Sequence, residues 1–323
     1  MRFNRNSRDT GALGWACTAV VLVLLEGAVP LSGYQLHARR VQGHANFQWP
    51  QSEQAAYAAN RLPSKEIFAF LASALQWQVN PPTLAEFRFA RLGIREICLV
   101  AVLGMRLGYE HDVVCPATGG GYWDTQLAVD APGPLAWYVV DLEGNGIHEV
   151  ISSEALNSLV PTYWYDIYSF SEGQPENVSR QFPQFYKAVL MPELYQADRS
   201  LGGLFPGELP PPKVQYTRMV LLFLQLKYQR RILGDAKAGL EEGLNWVKSP
   251  YVNVQGLGLE TLADIHDPRS VAALEELGRT TRLQGMCADV ENALAGLQGR
   301  TPDTNRILQC DSIKVQEAPR FLQ

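Results

Sequence analysis

The sequence predicts an α+β fold: a β-rich meander or small sandwich followed by an α-helical domain. Three observations predict it. Between residues 84 and 175 short apolar runs alternate with Gly, Pro and Asn turn residues, the texture of consecutive strands. From residue 214 to 298 apolar residues recur at helical spacing. Hydrophobic residues make up 46% of the 323-residue chain and charged ones 19%, enough to pack a core and too apolar for a disordered chain.

The chain opens with Arg2, Arg5 and Arg8 ahead of the apolar run Ala12–Leu25. That run is shorter than the ~20 residues a bilayer-spanning helix needs, and it suits the central region of a secretory signal. Residues 1–33 therefore read as a signal peptide, with an uncleaved N-terminal anchor as the alternative. The expected location is extracytoplasmic, secreted or periplasmic, with residues 12–25 as the only membrane contact. Cys17 precedes the most hydrophobic part of the run, the wrong side for lipid attachment.

Residues 34–83 form a polar lead-in with one helix, Ser64 to Trp77, capped by Ser64 and ended by Asn80-Pro81-Pro82. Residues 84–180 form the β-rich segment. Its expected strands are Glu86–Leu92, Ile97–Leu103, His111–Cys115, Trp123–Val129, Ala136–Leu142, Glu149–Ser153 and Tyr163–Phe170. The last is rich in aromatics, for which packing on a half-buried face outweighs a ligand platform. Residues 181–213 carry a helix interrupted near Pro192 and the Pro/Gly-rich linker Leu201–Lys213.

Residues 214–300 are helical. Tyr216–Leu233 carries Lys227, Arg230 and Arg231 in its last turns, where cations suit the helix dipole, and Gly234 closes it. Asp235 caps the next helix, which runs through Val247. Val252–Ile265, Ser270–Leu277 and Leu283–Leu297 follow, and residues 301–323 form a weakly ordered tail.

Four Cys lie beyond the leader. Their grouping favours Cys98–Cys115 and Cys287–Cys310, with the other pairings and buried free thiols left open. A net charge of −5 with no Lys/Arg-rich block argues against nucleic acid as a partner. No HExxH, no GxSxG and no phosphate loop is present, because Gly119–Gly121 lacks the following Lys-Ser/Thr. His148 and Glu149 are adjacent on a strand and point to opposite faces. His111 and Cys115, four residues apart on a strand, stand ~13 Å apart, too far for proton transfer.

Two segments resemble known families. Asn253–Leu277, with Asp267-Pro268 between two apolar stretches, resembles a HEAT-like repeat, and the likeness extends over about residues 236–297. It implies stacked helix pairs that bind a protein partner on an exposed face. Gly256 and Gly258 depart from that family's Ala/Leu preference.

Trp137–Ser152, reading WYVVDLEGNGIHEVIS, resembles the FG-GAP or VCBS-type strand–DxDxDGxxE–strand element. The resemblance implies a calcium loop, in which side-chain oxygens of Asp141, Glu143, Asn145 and Glu149 and the carbonyl of Ile147 converge on the cation. Glu143 and Asn145 replace the family's aspartates, and an empty hairpin with an Asn-Gly turn is the competing reading. The function expected from all this is an exported, non-enzymatic binding or scaffold protein. A calcium-stabilised structural protein and a hydrolase with a site assembled from distant residues are the alternatives.

Overall fold

The computed structural model describes residues 38–41, 47–75, 83–94, 96–105, 108–156, 158–203, 211–281 and 285–313. Within them the protein is α+β, with antiparallel sheets N-terminal and helices C-terminal. The expected leader (1–33, with 12–25), His37, His44, Asn80-Pro81-Pro82, the linker residues 204–210 and the tail beyond 313 lie outside the described residues. Among the described residues no helix is long and apolar enough to cross a membrane.

The first sheet holds β1 (Arg39–Val41), β2 (Thr83–Arg91), β3 (Ile97–Met105), β4 (Gly108–Pro116) and β5 (Tyr122–Ala128) in the order β1-β5-β4-β3-β2. Strand β3 is apolar at nearly every position because both of its faces are covered. Ile97, Leu99, Ala101 and Leu103 pack under α1 (Glu53–Ala59) and α2 (Ser64–Ala74), with Trp49, Ile67, Phe70 and Leu71. Cys98 and Val100 face the other way.

There they meet the second sheet, β6 (Val139–Val140), β7 (Glu149–Ala155), β8 (Tyr163–Ser171) and β9 (Gln174–Asn177), through Val139, Val150, Tyr168 and Phe170. Cys98 and Cys115 sit opposite each other on β3 and β4, bridged by a disulfide with a Cα–Cα distance of 4.4 Å. This is the pairing favoured by the sequence. Cys287 is also disulfide-bonded, while the side chain of Cys310 lies outside the described residues.

The second sheet also packs on α4 (Pro183–Ala188), α5 (Leu190–Gly203) and α6 (Pro211–Arg231). Ile151, Trp164 and Ile167 share one cluster with Tyr186, Leu190, Val220, Phe223 and Leu224. The helices α7 (Leu240–Trp246), α8 (Val252–Ala263), α9 (Pro268–Thr280) and α10 (Met286–Gln298) enclose a further cluster, and α11 (Thr304–Ile313) follows. Helix α8 belongs to both, giving Val254 and Leu257 to the sheet-side cluster and Leu259 and Leu262 to the helical one. A Cβ on Gly258 would stand 2.6 Å from the backbone nitrogen of Val247, so this glycine permits the close approach of α7 and α8. The helix-propensity cost noted for Gly258 is the cost of that contact.

Several expectations are corrected. Ala136–Leu142 is not one strand: α3 (Leu135–Tyr138) precedes the two-residue β6. A helical turn brings Leu135 and Tyr138, three apart, to the same side, and both are 1% exposed. The interruption near Pro192 falls at Val189, and Pro192 occupies the first turn of α5, where its missing N–H is no loss. Asp235 does not cap α7; its carboxylate accepts from the amide of Lys237 in a turn, and α7 starts after Gly239 at φ 86°. The lead-in holds α1, capped by Ser52 through the amide of Ala55. The tail holds α11, where Asp303 accepts from the amides of Asn305 and Arg306. The short β1 and β9 carry too little pattern to be read in advance.

Candidate functional site

Three places bring functional side chains together. The first is the segment Asp141–Glu149, the loop between β6 and β7, whose register pairs Val140 with Glu149. Gly144 (φ 72°) and Gly146 (φ 83°) supply the left-handed residues that let it fold back. Asp141 accepts from the amides of Asn145 at 3.0 Å and Gly146 at 2.8 Å. These backbone hydrogen bonds, first that of Gly146, hold its carboxyl below the usual range.

Glu143 accepts from the Asn145 side-chain amide at 2.7 Å, and Asn145 Oδ1 accepts from the amide of Ile147 at 2.7 Å. Glu149, 5% exposed, accepts from the amide of Leu142 at 2.9 Å, and burial raises its pKa. The Asn145-Gly146 pair is thus one step of a longer loop rather than a two-residue hairpin turn. Each of the four side chains expected as calcium ligands accepts a hydrogen bond from the loop's own donors. Among the described residues no group of three or more His, Cys, Asp or Glu is placed to hold a metal ion.

The second place is a buried charge network between α6 and α8. Lys227 and Arg231, one turn apart, face Glu260 and Asp264, one turn apart. Lys227 Nζ lies 2.5 Å from Glu260 Oε1, with both side chains at most 4% exposed. Arg231 grips Asp264 with two hydrogen bonds of 2.9 and 2.7 Å. Arg230 donates to the carbonyl of Ala238 at 2.8 Å. The Lys227 ammonium also lies 4.7 Å from the centre of the Trp164 ring on β8. Burial pushes Glu154 on β7 up to about 7, against the pull of Lys227 and with the push of Glu260. The cations read from the sequence as suited to the helix C-terminus are therefore also partners of carboxylates inside the protein. The signal that could have found them is the matched i, i+4 spacing of opposite charges on two helices.

The third place is an aromatic face. Strand β8 puts Tyr163 and Tyr165 on one side, α3 supplies Trp137, α4 supplies Phe185 and α5 supplies Glu193. Trp137 lies edge-on to Tyr165 at 5.6 Å and 6.1 Å from Phe185, and Tyr165 lies edge-on to Phe185 at 5.9 Å. The Tyr165 hydroxyl donates to the Glu193 carboxylate, 2.8 and 2.9 Å from its two oxygens. Burial raises the Glu193 pKa, and that hydrogen bond opposes the rise.

The residue pairs weighed as catalytic dyads are not brought together. Cys115 carries no thiol, being bridged to Cys98. His148 Nε2 lies 3.2 Å from Arg88 Nη2, while Glu149 turns to the amide of Leu142. His111 is 2% exposed, its ring edge-on to Tyr138 at 5.0 Å, and burial lowers its pKa to about 4.

An unfolded chain protonates His111 near the ordinary histidine pKa of 6.5, but the folded protein does not until about 4. Its contribution is present above 6.5 and lost as pH falls through 4. Urea melts across this window are expected to show an acid loss of up to roughly 3 kcal/mol from this group. His111→Leu should flatten that part of the profile, and an unchanged slope would refute the assignment.

No protein-family model, no curated protein and no solved structure matches this chain.

Proposed function

We propose that this chain is an exported, non-enzymatic binding protein that presents a recognition surface on its second sheet. The observation that carries the reading is the aromatic face, where Trp137, Tyr163 and Phe185 remain half-buried around Tyr165, whose hydroxyl donates to the carboxylate of Glu193. Aromatic side chains with one polar group among them are the usual material of recognition sites. Export is supported by the Cys98–Cys115 bridge, since such bonds persist in oxidising compartments.

The finer family likenesses belong to the same proposal. A HEAT-like pairing of α8 and α9 is supported by Asp267, which caps α9 through the amide of Arg269, and by Pro268 in its first turn. Leu259, Leu262, Leu274 and Leu277 meet between the two helices. That pairing would offer a protein partner the outer face of the helices.

The test uses the whole mature chain, because α6 supplies Val220, Phe223 and Leu224 to the same cluster as Ile151 and Ile167. Capture from the extracytoplasmic fraction is expected to retain one partner or ligand reproducibly and to lose it on Trp137→Ala. Turnover on a broad hydrolase panel, abolished by one side-chain change, would overturn the binding reading.

A calcium-stabilised loop is the second reading, favoured by the crowding of Asp141, Glu143 and Asn145 into one exposed turn. It predicts a rise in melting midpoint with calcium, reversed by chelator and absent in Asp141→Ala. No shift, or the same shift in the variant, would end it.

A further inference from the structure

The aromatic face has an electrostatic imbalance that points to the chemistry of a ligand. Three half-buried rings pack on the ring of Tyr165, whose hydroxyl donates to the carboxylate of Glu193. Glu193 takes part in none of the ion pairs among the described residues, and its contact is a neutral phenol. Among the described residues its hydrogen-bond partner is the Tyr165 hydroxyl, and burial raises its pKa against that hydrogen bond.

Elsewhere the protein places its own cations over aromatic rings. Arg40 lies over Trp123, Arg61 over Tyr57, Arg199 over Tyr195, and Lys227 over Trp164 and Phe223. Among the described residues no Lys or Arg lies over Trp137, Tyr163, Tyr165 or Phe185. The faces of these rings carry the negative lobe of the aromatic quadrupole, and a carboxylate beside them adds a full negative charge. Such a site attracts a cation. Its apolar surroundings disfavour a strongly hydrated one such as sodium or a primary ammonium. A cation sheathed in methyl groups meets both conditions, because it spreads its charge over an apolar surface that rings can contact.

We propose that Trp137, Tyr163, Phe185 and Glu193, backed by Tyr165, form a binding site for a quaternary ammonium group. The group is a trimethylammonium head, carried by a free small molecule or by a choline lipid headgroup. The proposal rests on the binding-protein reading above and fixes the class of its ligand. Binding is non-covalent: the methyl groups lie against the half-exposed rings, and the charge is balanced by Glu193. The Tyr165 hydroxyl orients that carboxylate.

The test is titration of the full chain with choline and with tetramethylammonium, read by calorimetry and by the fluorescence of the half-buried Trp137. The neutral isostere 3,3-dimethylbutan-1-ol serves as the control. Saturable binding of both cations, with the isostere weaker by about tenfold or more, is the expected result. Glu193→Gln keeps an acceptor for the Tyr165 hydroxyl and should weaken choline about tenfold, the loss of one charged contact. Tyr163→Leu should weaken it similarly and Tyr163→Phe should restore it, which separates loss of the ring from loss of the fold.

Phosphatidylcholine vesicles set against phosphatidylglycerol vesicles distinguish the two sources. Binding to the former alone assigns the headgroup, and choline binding without vesicle binding assigns a free ligand. Equal binding of cation and isostere, or full choline affinity in Glu193→Gln, overturns the proposal. So does the absence of any choline, tetramethylammonium or vesicle binding. A partner captured through Trp137 in that last case would leave the binding-protein reading standing and only the ligand class refuted.

Discussion

Replacing Lys227 by Met is expected to destabilise the protein by about 3–5 kcal/mol, the cost of leaving a buried charge without its partner. Both side chains of the Lys227–Glu260 pair are nearly sealed from water, 2% and 4% exposed. In that setting the pair itself is worth little against an apolar replacement, because desolvating two ions offsets most of their attraction. The loss comes from the orphan. Without Lys227 the Glu260 carboxylate stays inside with Glu154 nearby, and Glu154 already sits near pKa 7 because it is buried.

Removing Lys227 also takes away the charge that pulls Glu154 down, so the variant should lose stability as pH rises past about 7. A second substitution decides the mechanism. Lys227→Met with Glu260→Leu should recover most of the lost stability, because no charge is left unpaired. Urea melts of the two variants make the comparison. If the double variant is as unstable as the single one, the loss belongs to packing against Trp164 and Phe223 and not to the charge.

The second large effect belongs to the Cys98–Cys115 bridge. It joins neighbouring strands across 17 residues of sequence, and both sulfurs belong to residues with no exposed surface. Closing a loop of this length in the unfolded chain is worth roughly 3 kcal/mol. Cys98→Ala with Cys115→Ala should lose at least that, since two small cavities open between the sheets as well. For a chain of this size the midpoint should fall by roughly 5–10 °C.

Burial adds a kinetic signature. Reductant alone should leave the native bridge intact over hours, and the same reductant should cleave it once urea opens the sheets. Ready reduction of the folded protein would contradict the buried position. The bridge should also make expression in a reducing compartment yield a less stable product.

Much of the fold was legible in the sequence because it rests on local pattern. The apolar run Ile97–Leu103, the turn residues around Gly119–Gly121 and the stripe in Tyr216–Leu233 each declare an element without reference to the rest of the chain. The grouping of the cysteines favours Cys98–Cys115 but leaves free thiols open, and it is the closing of the β3–β4 hairpin that sets the two opposite each other. Ala136–Leu142 misled because its short continuous apolar run, Ala136 to Val140, fits a buried strand. What decides it is the pull of two partners distant in sequence: Glu86 accepts from the Leu135 amide, and Tyr138 packs its ring against His111.

The candidate sites were less legible, for a physical reason. The Asp141–Glu149 loop is local, so its residues could be named in advance, although not that its carboxylates would turn inward to its own amides. The aromatic face takes one residue each from α3, α4 and α5 and two from β8, and no spacing in sequence announces it.

By itself the sequence determined the fold class, most elements and the position of the acidic loop, because hydrophobic period and turn chemistry act over a few residues. The tertiary structure alone decided that the strands form two facing sheets with helices on both sides. It also decided that Lys227 and Arg231 are internal partners of Glu260 and Asp264, and that Glu193 takes the hydroxyl of Tyr165 at the edge of an aromatic cluster. Those outcomes depend on which distant surfaces meet, and charge pairing and exposure exist only once they have met.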